Sequence, residues 1–498
     1  MDAHEYRSHD AVGLAALHAE GAVDAATLLA LAQARLAEIN PVLNAVCIDM
    51  SAIAADRAQQ SLQGAFGGVP FLIKDIIQDY AGVPTTSGSR ALQQVRPARH
   101  ADYTQRVLDA GMVIFGKTTT PELALKGVTE SDLWGATRNP WHPDHTPGGS
   151  SGGAAAAVAA GVVPMAGAND GGGSIRIPAS HCGLFGLRPS RGRVPVTPSI
   201  GEQWEGASSD GVVSRSVRDS ARMLDVLSGP GRGAPFQVAP PAGSFESAAA
   251  RAPGRLRIGW SSRSPIGSTV DSECIAAVEQ TAKALEALGH DVTEAEPEVD
   301  GMLVARAFLT LYCGQVAASV DSAVAQGARE SGFEPDTRTL AVIGRAMPAS
   351  EYIIMRQHWN DICQAVAGFY DRFDLWLSPT VAAPPVRIGA LDTPPMVRML
   401  QRVIVRLPVG GLLRKSGLVD RLAFESLEKT PFTQLANLTG QPSMSVPMHW
   451  TAEGLPVGAQ FTGPWGSEEQ LISLAAQLEA AHPWFDRTPP LYLGPSSA

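Results

Sequence analysis

Between positions 147 and 178 the chain reads PGGSSGGAAAAVAAGVVPMAGANDGGGSIRIP: two glycine clusters, each holding a serine, with an alanine- and valine-rich segment between them. Glycine adds no side chain to a core and costs roughly 0.5–1 kcal/mol against alanine in regular structure. What it offers is close approach of backbone to backbone, or of backbone to ligand. The stretch therefore presents backbone N–H groups to a partner, with Ser150 and Ser174 held among them. The rest of the chain has to act as its scaffold.

The scaffold reads as alternating strands and helices. VPFLI at 69–73 is a short apolar run suited to a buried strand, and Lys74 and Asp75 follow it directly. A lysine in that position either snorkels to water or stays buried for a purpose. Pairing with Asp75 is disfavoured, because neighbours on a strand point to opposite faces. Residues 10–38 read as two amphipathic helices ended by Asn40-Pro41, 102–111 as a helix closed by Gly111, and 112–115 as a strand. Beyond 256 come a strand, a helix over 271–288, another strand, and a mostly helical region over 301–375. Residues 435–462 read as two strand-like runs with a turn at Glu453-Gly454, and 467–481 as a helix. Segment 391–430, rich in Arg, Leu and Val, fits a flexible lid over a pocket, a partner surface, or an exposed cationic face.

GGSSGG at 148–153 runs into AAAAVAA and so opens a helix. It also matches G-x-S-x-G, but the nucleophile elbow needs a strand immediately before it, and HPDHTP stands there instead. A strand over 162–168 would feed the second cluster, and Pro178 is tolerated in a helix's first turn. The amides of 171–174 then converge either as an oxyanion hole or as a phosphate nest. The chain contains no GxxxxGK[ST] pattern, which weighs against phosphate.

Composition excludes several classes. A net charge of −10 argues against nucleic acid or an anionic membrane as partner. Five scattered cysteines without a CxxC pair fit a reducing compartment and no cysteine-held metal. His142 and His145 share a loop with no acidic or cysteine cluster, so no metal is expected. The polar start MDAHEYRSHD is not a signal peptide, and the longest apolar run, 154–168, is too short and broken to cross a bilayer. The expectation is a cytoplasmic protein, monomer or homodimer, without cofactor.

Lys74 after its strand, GGSSGG at 148–153 and DGGGSIRIPAS at 170–180 together resemble the amidase signature family. Ser150 precedes Ser174 by 24 residues, and a GxPxxSxP-like run follows at Gly440, Pro442, Ser445 and Pro447, so the resemblance spans nearly the whole chain. It implies an αβα sandwich with a central twisted mixed sheet, one domain over 1–498, a signature core over 60–220 and a helical and loop cover over 300–430. It implies a triad of Ser174 as nucleophile, Ser150 as proton relay behind a cis peptide bond eased by Gly149, and Lys74 as base. Gly171, Gly172, Gly173 and Ser174 would supply the oxyanion hole, and Asp170 and Arg176 structural support. Lys74 would have to be neutral, which costs about 4–5 kcal/mol at pH 7 from its ordinary pKa and is eased by burial. Two departures stand out: Gly171, where the family commonly has a larger residue, and Thr119, where Asn is common.

WGATRNPW at 134–141, SIRIPASHCG at 174–183 and SSDGVVSRSVRD at 208–219 are most similar to the 6-aminohexanoate cyclic-dimer hydrolase group. That likeness implies cleavage of amide C–N bonds, with oligoamides, carbamates and esters as further substrates. It also implies a pocket lined by Cys313, by Gly127, Val128 and Thr129 in the 126–130 loop, and by Trp204 in the 200–205 loop. Trp134 and Trp141 near Trp204 suggest apolar or aromatic amides. The alternatives are a glutaminase subunit of a tRNA-dependent amidotransferase, which usually has Gln where this chain has Ile177, and an idle binding protein of the same fold.

Overall fold

The computed structural model describes residues 1–198, 200–405 and 418–492. Among these, eight strands form one mixed sheet, ordered across it as Asp291–Glu294, Arg257–Trp260, Leu375–Pro379, Pro456–Thr462, Ser443–Trp450, Phe185–Arg188, Ser209–Ser214 and Met165–Asp170. The first three pair in parallel and the remainder antiparallel. Helices flank the sheet, giving the expected αβα sandwich. Its largest apolar cluster draws on residues from Tyr6 to Trp484.

Most expected elements form close to where the periodicity placed them, and two differ. The helix Ala25–Leu43 runs through Pro41 instead of ending before it. Pro41 falls in the last turn, and Asn40 Oδ1 accepts from the amides of Ala45 at 2.8 Å and Val46 at 3.0 Å. The chain therefore leaves the helix only at Asn44, in a left-handed conformation with φ 51°. The second difference is at 435, where the expected strand-like run opens instead as the helix Gln434–Thr439, closed by Gly440.

Lys74 ends the strand Pro70–Lys74, which belongs to a separate three-stranded sheet with Val113–Thr118 and Val46–Asp49. A side chain joins that small sheet to the edge of the large one. Gln78 Oε1 accepts from the Lys74 amide at 2.8 Å, while Nε2 donates to Ala168 O and Asp210 Oδ1, each at 3.1 Å. One glutamine thus stands in for a strand-to-strand ladder and holds Lys74 beside the end of Met165–Asp170. A Cβ on Gly167 would lie 2.3 Å from Gln78 Oε1, so the bridge requires glycine there.

Between residues 300 and 430 lie the helices Gly301–Ala325, Pro335–Arg345, Ala349–Tyr370, Pro395–Ile404 and Leu418–Leu427. Gly301–Ala325, Pro335–Arg345, Ala349–Tyr370 and Leu418–Leu427 gather around a second apolar cluster that includes Phe308 and Trp359. Gly301–Ala325 is long and apolar enough to cross a membrane by length and composition, although 56% of its most apolar window is buried. Among the described residues, this helix and not 154–168 meets that length and composition. Of the 391–430 segment, residues 406–417 lie outside the described residues. Gly167→Ala is expected to destabilise the fold by about 1–3 kcal/mol through overpacking against Gln78, measured by urea unfolding.

Candidate active site

Lys74 is fully buried, and its Nζ lies 2.8 Å from Ser150 Oγ, 2.9 Å from Ser151 Oγ and 2.7 Å from Asn169 Oδ1. All three partners are neutral. Burial pulls the Lys74 ammonium down to about 7, against the charges of Asp210 and Asp170, which raise it. The same burial pushes the Asp210 carboxyl up to about 7. Asp75 faces away from Lys74, as strand alternation requires, and accepts from the Thr86 amide at 2.9 Å.

Ser150 follows a cis Gly149–Ser150 peptide bond. A Cβ on Gly149 would come within 2.6 Å of the Val128 amide nitrogen and 2.7 Å of Lys126 O, so the crowding admits only glycine. The helix Gly152–Ala159 starts just beyond.

The second glycine cluster turns out of the strand Met165–Asp170 and into the helix Arg176–Cys182. Asp170 organises this turn. Its Oδ1 accepts from the Gly173 amide at 2.6 Å and its Oδ2 from the Ile175 amide at 3.2 Å. Arg176 completes a two-point pair, Nε to Oδ2 at 2.9 Å and an Nη to Oδ1 at 3.0 Å. Burial works against the Asp170 charge, but the Arg176 charge and hydrogen bonds overcome it and hold the carboxyl well below its usual range. Asp170 and Arg176 are thus both placed at the turn that carries Ser174. Thr433 Oγ1 and Gln434 Nε2 donate to Gly172 O at 2.6 and 3.1 Å, so the 172–173 peptide is held from both ends. The Gly173 amide is thus committed to Asp170 and withdraws from the expected set of four donors. Among the described residues, the amides of Gly171, Gly172 and Ser174 have no partner.

Ser150, Gly171, Gly172 and the half-buried Ser174 line a cavity of about 640 Å³. Gly127, Val128 and Trp204 line it as expected. Thr129 and Cys313 do not. Thr129 is buried behind the wall, donating to Gly148 O at 2.8 Å and accepting from the Gly152 amide at 3.1 Å. Cys313 is 1% exposed in the apolar cluster of the cover helices, while Phe308, Leu309 and Tyr312 of the same helix face the cavity. Trp134 and Trp141 also lie elsewhere; the Trp134 indole N–H donates to Thr86 and that of Trp141 to Cys182 O. Gly171 tolerates what its neighbours would not, since a Cβ there would meet Trp204 at an ordinary 3.4 Å. A larger residue would extend into the cavity, so glycine widens it.

Four of the seven non-glycine residues with left-handed φ among the described residues, Ile77, Leu123, Ala124 and Trp204, line this same cavity. Such conformations persist where the surroundings over-determine them, and they concentrate at functional sites. Sequence reasoning missed Ser151, Asn169 and Gln78 around Lys74. Ser151 had a signal, as the second serine of GGSSGG; Asn169 and Gln78 had none, because their roles exist only across the junction of two sheets.

Residues 27–472 match the Amidase family profile. The chain belongs to the amidase family. The 6-aminohexanoate-cyclic-dimer hydrolase of Paenarthrobacter ureafaciens is 36% identical over 513 residues, covering 98% of this chain and 97% of that protein. A solved structure of 6-aminohexanoate cyclic dimer hydrolase with substrate superposes with a TM-score of 0.89 at 32% identity, over 98% of this chain and 99% of that one. A bacterial aryl acylamidase of the amidase signature family superposes with a TM-score of 0.83 at 27% identity, over 96% and 98%. This amidase is therefore a hydrolase of amide C–N bonds. Asp170→Asn is expected to destabilise it by about 3–5 kcal/mol, because it leaves Arg176 charged and buried without its partner; chemical denaturation measures this.

Proposed function

We propose that this amidase works through a serine acyl-enzyme, with Ser174 as nucleophile, Ser150 as relay and Lys74 as base. The supporting observation is the set of neutral contacts around Lys74. A neutral amine keeps two N–H donors and one lone pair. Asn169 Oδ1 only accepts, and Ser151 directs its own hydroxyl toward Asn169 O at 3.3 Å, so both of these take N–H donors from Lys74. The lone pair is left for the Ser150 hydroxyl.

Ser174 Oγ attacks the carbonyl carbon and passes its proton to Ser150 as Ser150 passes its own to Lys74. The oxyanion that develops is held by the amides of Gly171, Gly172 and Ser174. On collapse the C–N bond breaks, and the proton returns through Ser150 to the departing nitrogen. Water then cleaves the acyl-Ser174 ester through the same relay. Trp204, Phe308 and Tyr312 on the cavity wall favour medium-sized amides with apolar or aromatic parts, and the volume suits oligoamides such as the one named for the relative. Carbamates and esters fit the same attack, which makes urethanase activity part of this reading.

The test compares amine release from a nitrophenyl anilide and from the matched carbamate, with Ser174→Ala alongside. The variant is expected to lose about 10⁴-fold or more in kcat. Full activity in the variant would remove Ser174 from the mechanism. Because burial lowers the Lys74 pKa to about 7, kcat/KM is expected to rise with pH through that value as the base loses its proton. The Asp210 charge raises the Lys74 pKa, so Asp210→Asn should move this rise to lower pH.

A further inference from the structure

Once the free amides beside Ser174 are assigned to the scissile carbonyl, the unpaired side-chain atoms around the cavity are chiefly acceptors. Gln401 Nε2 donates to Asp336 Oδ1 at 2.9 Å, and Gln434 Nε2 to Gly172 O at 3.1 Å. A carboxylate and a peptide carbonyl only accept, so these contacts identify which end of each side-chain amide is nitrogen. The opposite ends, Gln401 Oε1 and Gln434 Oε1, are buried without a donor, and so is Gln203 Oε1. All three residues line the cavity, and Gln434 is only 3% exposed. Asn169 Nδ2 is the one unpaired buried donor on the wall among the described residues, and its side chain is held by Lys74. Leaving a buried acceptor unpaired is costly, so three around one cavity point to a ligand that brings donors.

Charge points the same way. Glu122, Glu334 and Asp336 stand on the wall with Lys126, whose Nζ is 3.1 Å from Asp336 and 3.7 Å from Glu334. Two of these carboxyl groups face the Lys126 ammonium, and Glu122 stands behind them, accepting from Ser89 and from the Glu334 amide. Among the described residues, Arg398 is paired with Asp132 at 3.0 Å and Arg421 with Glu425 at 2.6 Å, and Asp392 adds a further carboxylate. Gln401 is the link between the two observations, since it holds Asp336 with its nitrogen and leaves its oxygen unpaired on the same wall. A simple aryl or alkyl amide carries as many acceptors as donors and leaves these oxygens unmet. A protonated amine carries three donors and no acceptor.

We propose that the substrate of this amidase bears, besides the scissile amide, an aliphatic amine that enters protonated and donates to Gln401 Oε1 beside the carboxylates of Asp336 and Glu334. The inference rests on the acyl-enzyme reading and names its substrate class. The test measures kcat/KM for 4-nitroanilides of ω-aminoacyl chains of about four to eight carbons against chains of equal length ending in methyl. The amino series is expected to win by roughly tenfold or more at its best length, the worth of one hydrogen bond to a charged group. Equal or better turnover of the methyl series overturns the amine inference and leaves the amidase reading standing. Cleavage of neither series, with Ser174 still labelled by a fluorophosphonate, overturns the amine inference and leaves the nucleophile in place. Absence of both cleavage and labelling overturns both. In Gln401→Met the amino-to-methyl ratio is expected to fall roughly tenfold; an unchanged ratio removes Gln401 from amine recognition.

Discussion

The site depends on one fully buried ion pair. Arg176 donates to both oxygens of Asp170, to Thr433 O at 2.9 Å, to Gln460 Oε1 at 2.9 Å and to Asn437 Oδ1 at 2.6 Å. Asp170 in turn takes the amides of Gly173 and Ile175 and the Asn437 side chain. The pair therefore ties the end of an edge strand, the glycine turn carrying Ser174, and the helix Gln434–Thr439 into one unit. Buried pairs add little net stability over well-packed apolar residues. What this one supplies is position: with its amide held by Asp170 and the preceding carbonyl held by Thr433, the peptide between Gly172 and Gly173 cannot turn.

Lys74 meets the same burial with the opposite outcome. Asp170 keeps its charge because Arg176 is in contact with it, whereas the contacts of Lys74 are two hydroxyls and an amide oxygen. Burial alone sets neither result; the nearest partner decides. The two charges are not independent, because Asp170 and Asp210 both raise the Lys74 pKa and set how far burial can lower it. Stiffness surrounds this balance, with the left-handed residues Ile77, Leu123, Ala124 and Trp204 shaping the cavity wall.

Much of the fold and the reacting end of the site was legible in the chain. Apolar runs and glycine turns marked the strands on either side of the site, and the resemblance carried by the two glycine clusters singled out Lys74, Ser150 and Ser174, of which Lys74 bonds Ser150 and both serines line one cavity. The pocket was less legible, and the reason is direction. Successive residues on a helix differ by about 100°, so Tyr312 faces the cavity while Cys313 turns into the helix cluster. Val128 and Thr129 part company in the same way, one lining the cavity and the other bracing Gly148 and Gly152. Pro41 shows the limit of local rules: it breaks a helix interior but is accepted in a last turn that ends at Asn44, with the Asn40 side chain holding the amides just beyond.

By itself the sequence determined the chemistry available: two serines in glycine clusters, a lysine ending an apolar strand, and an acid and an arginine flanking the second serine. Those choices are local, and local backbone physics leaves few uses for so many small residues around polar ones. The tertiary structure alone decided which groups meet. Gln78 joins two sheets, Asn169 and Ser151 lie within bonding distance of Lys74, and glutamines from three distant segments bring unpaired oxygens to the wall of one cavity. Each of these depends on contacts between segments far apart in the chain, which no window of sequence contains.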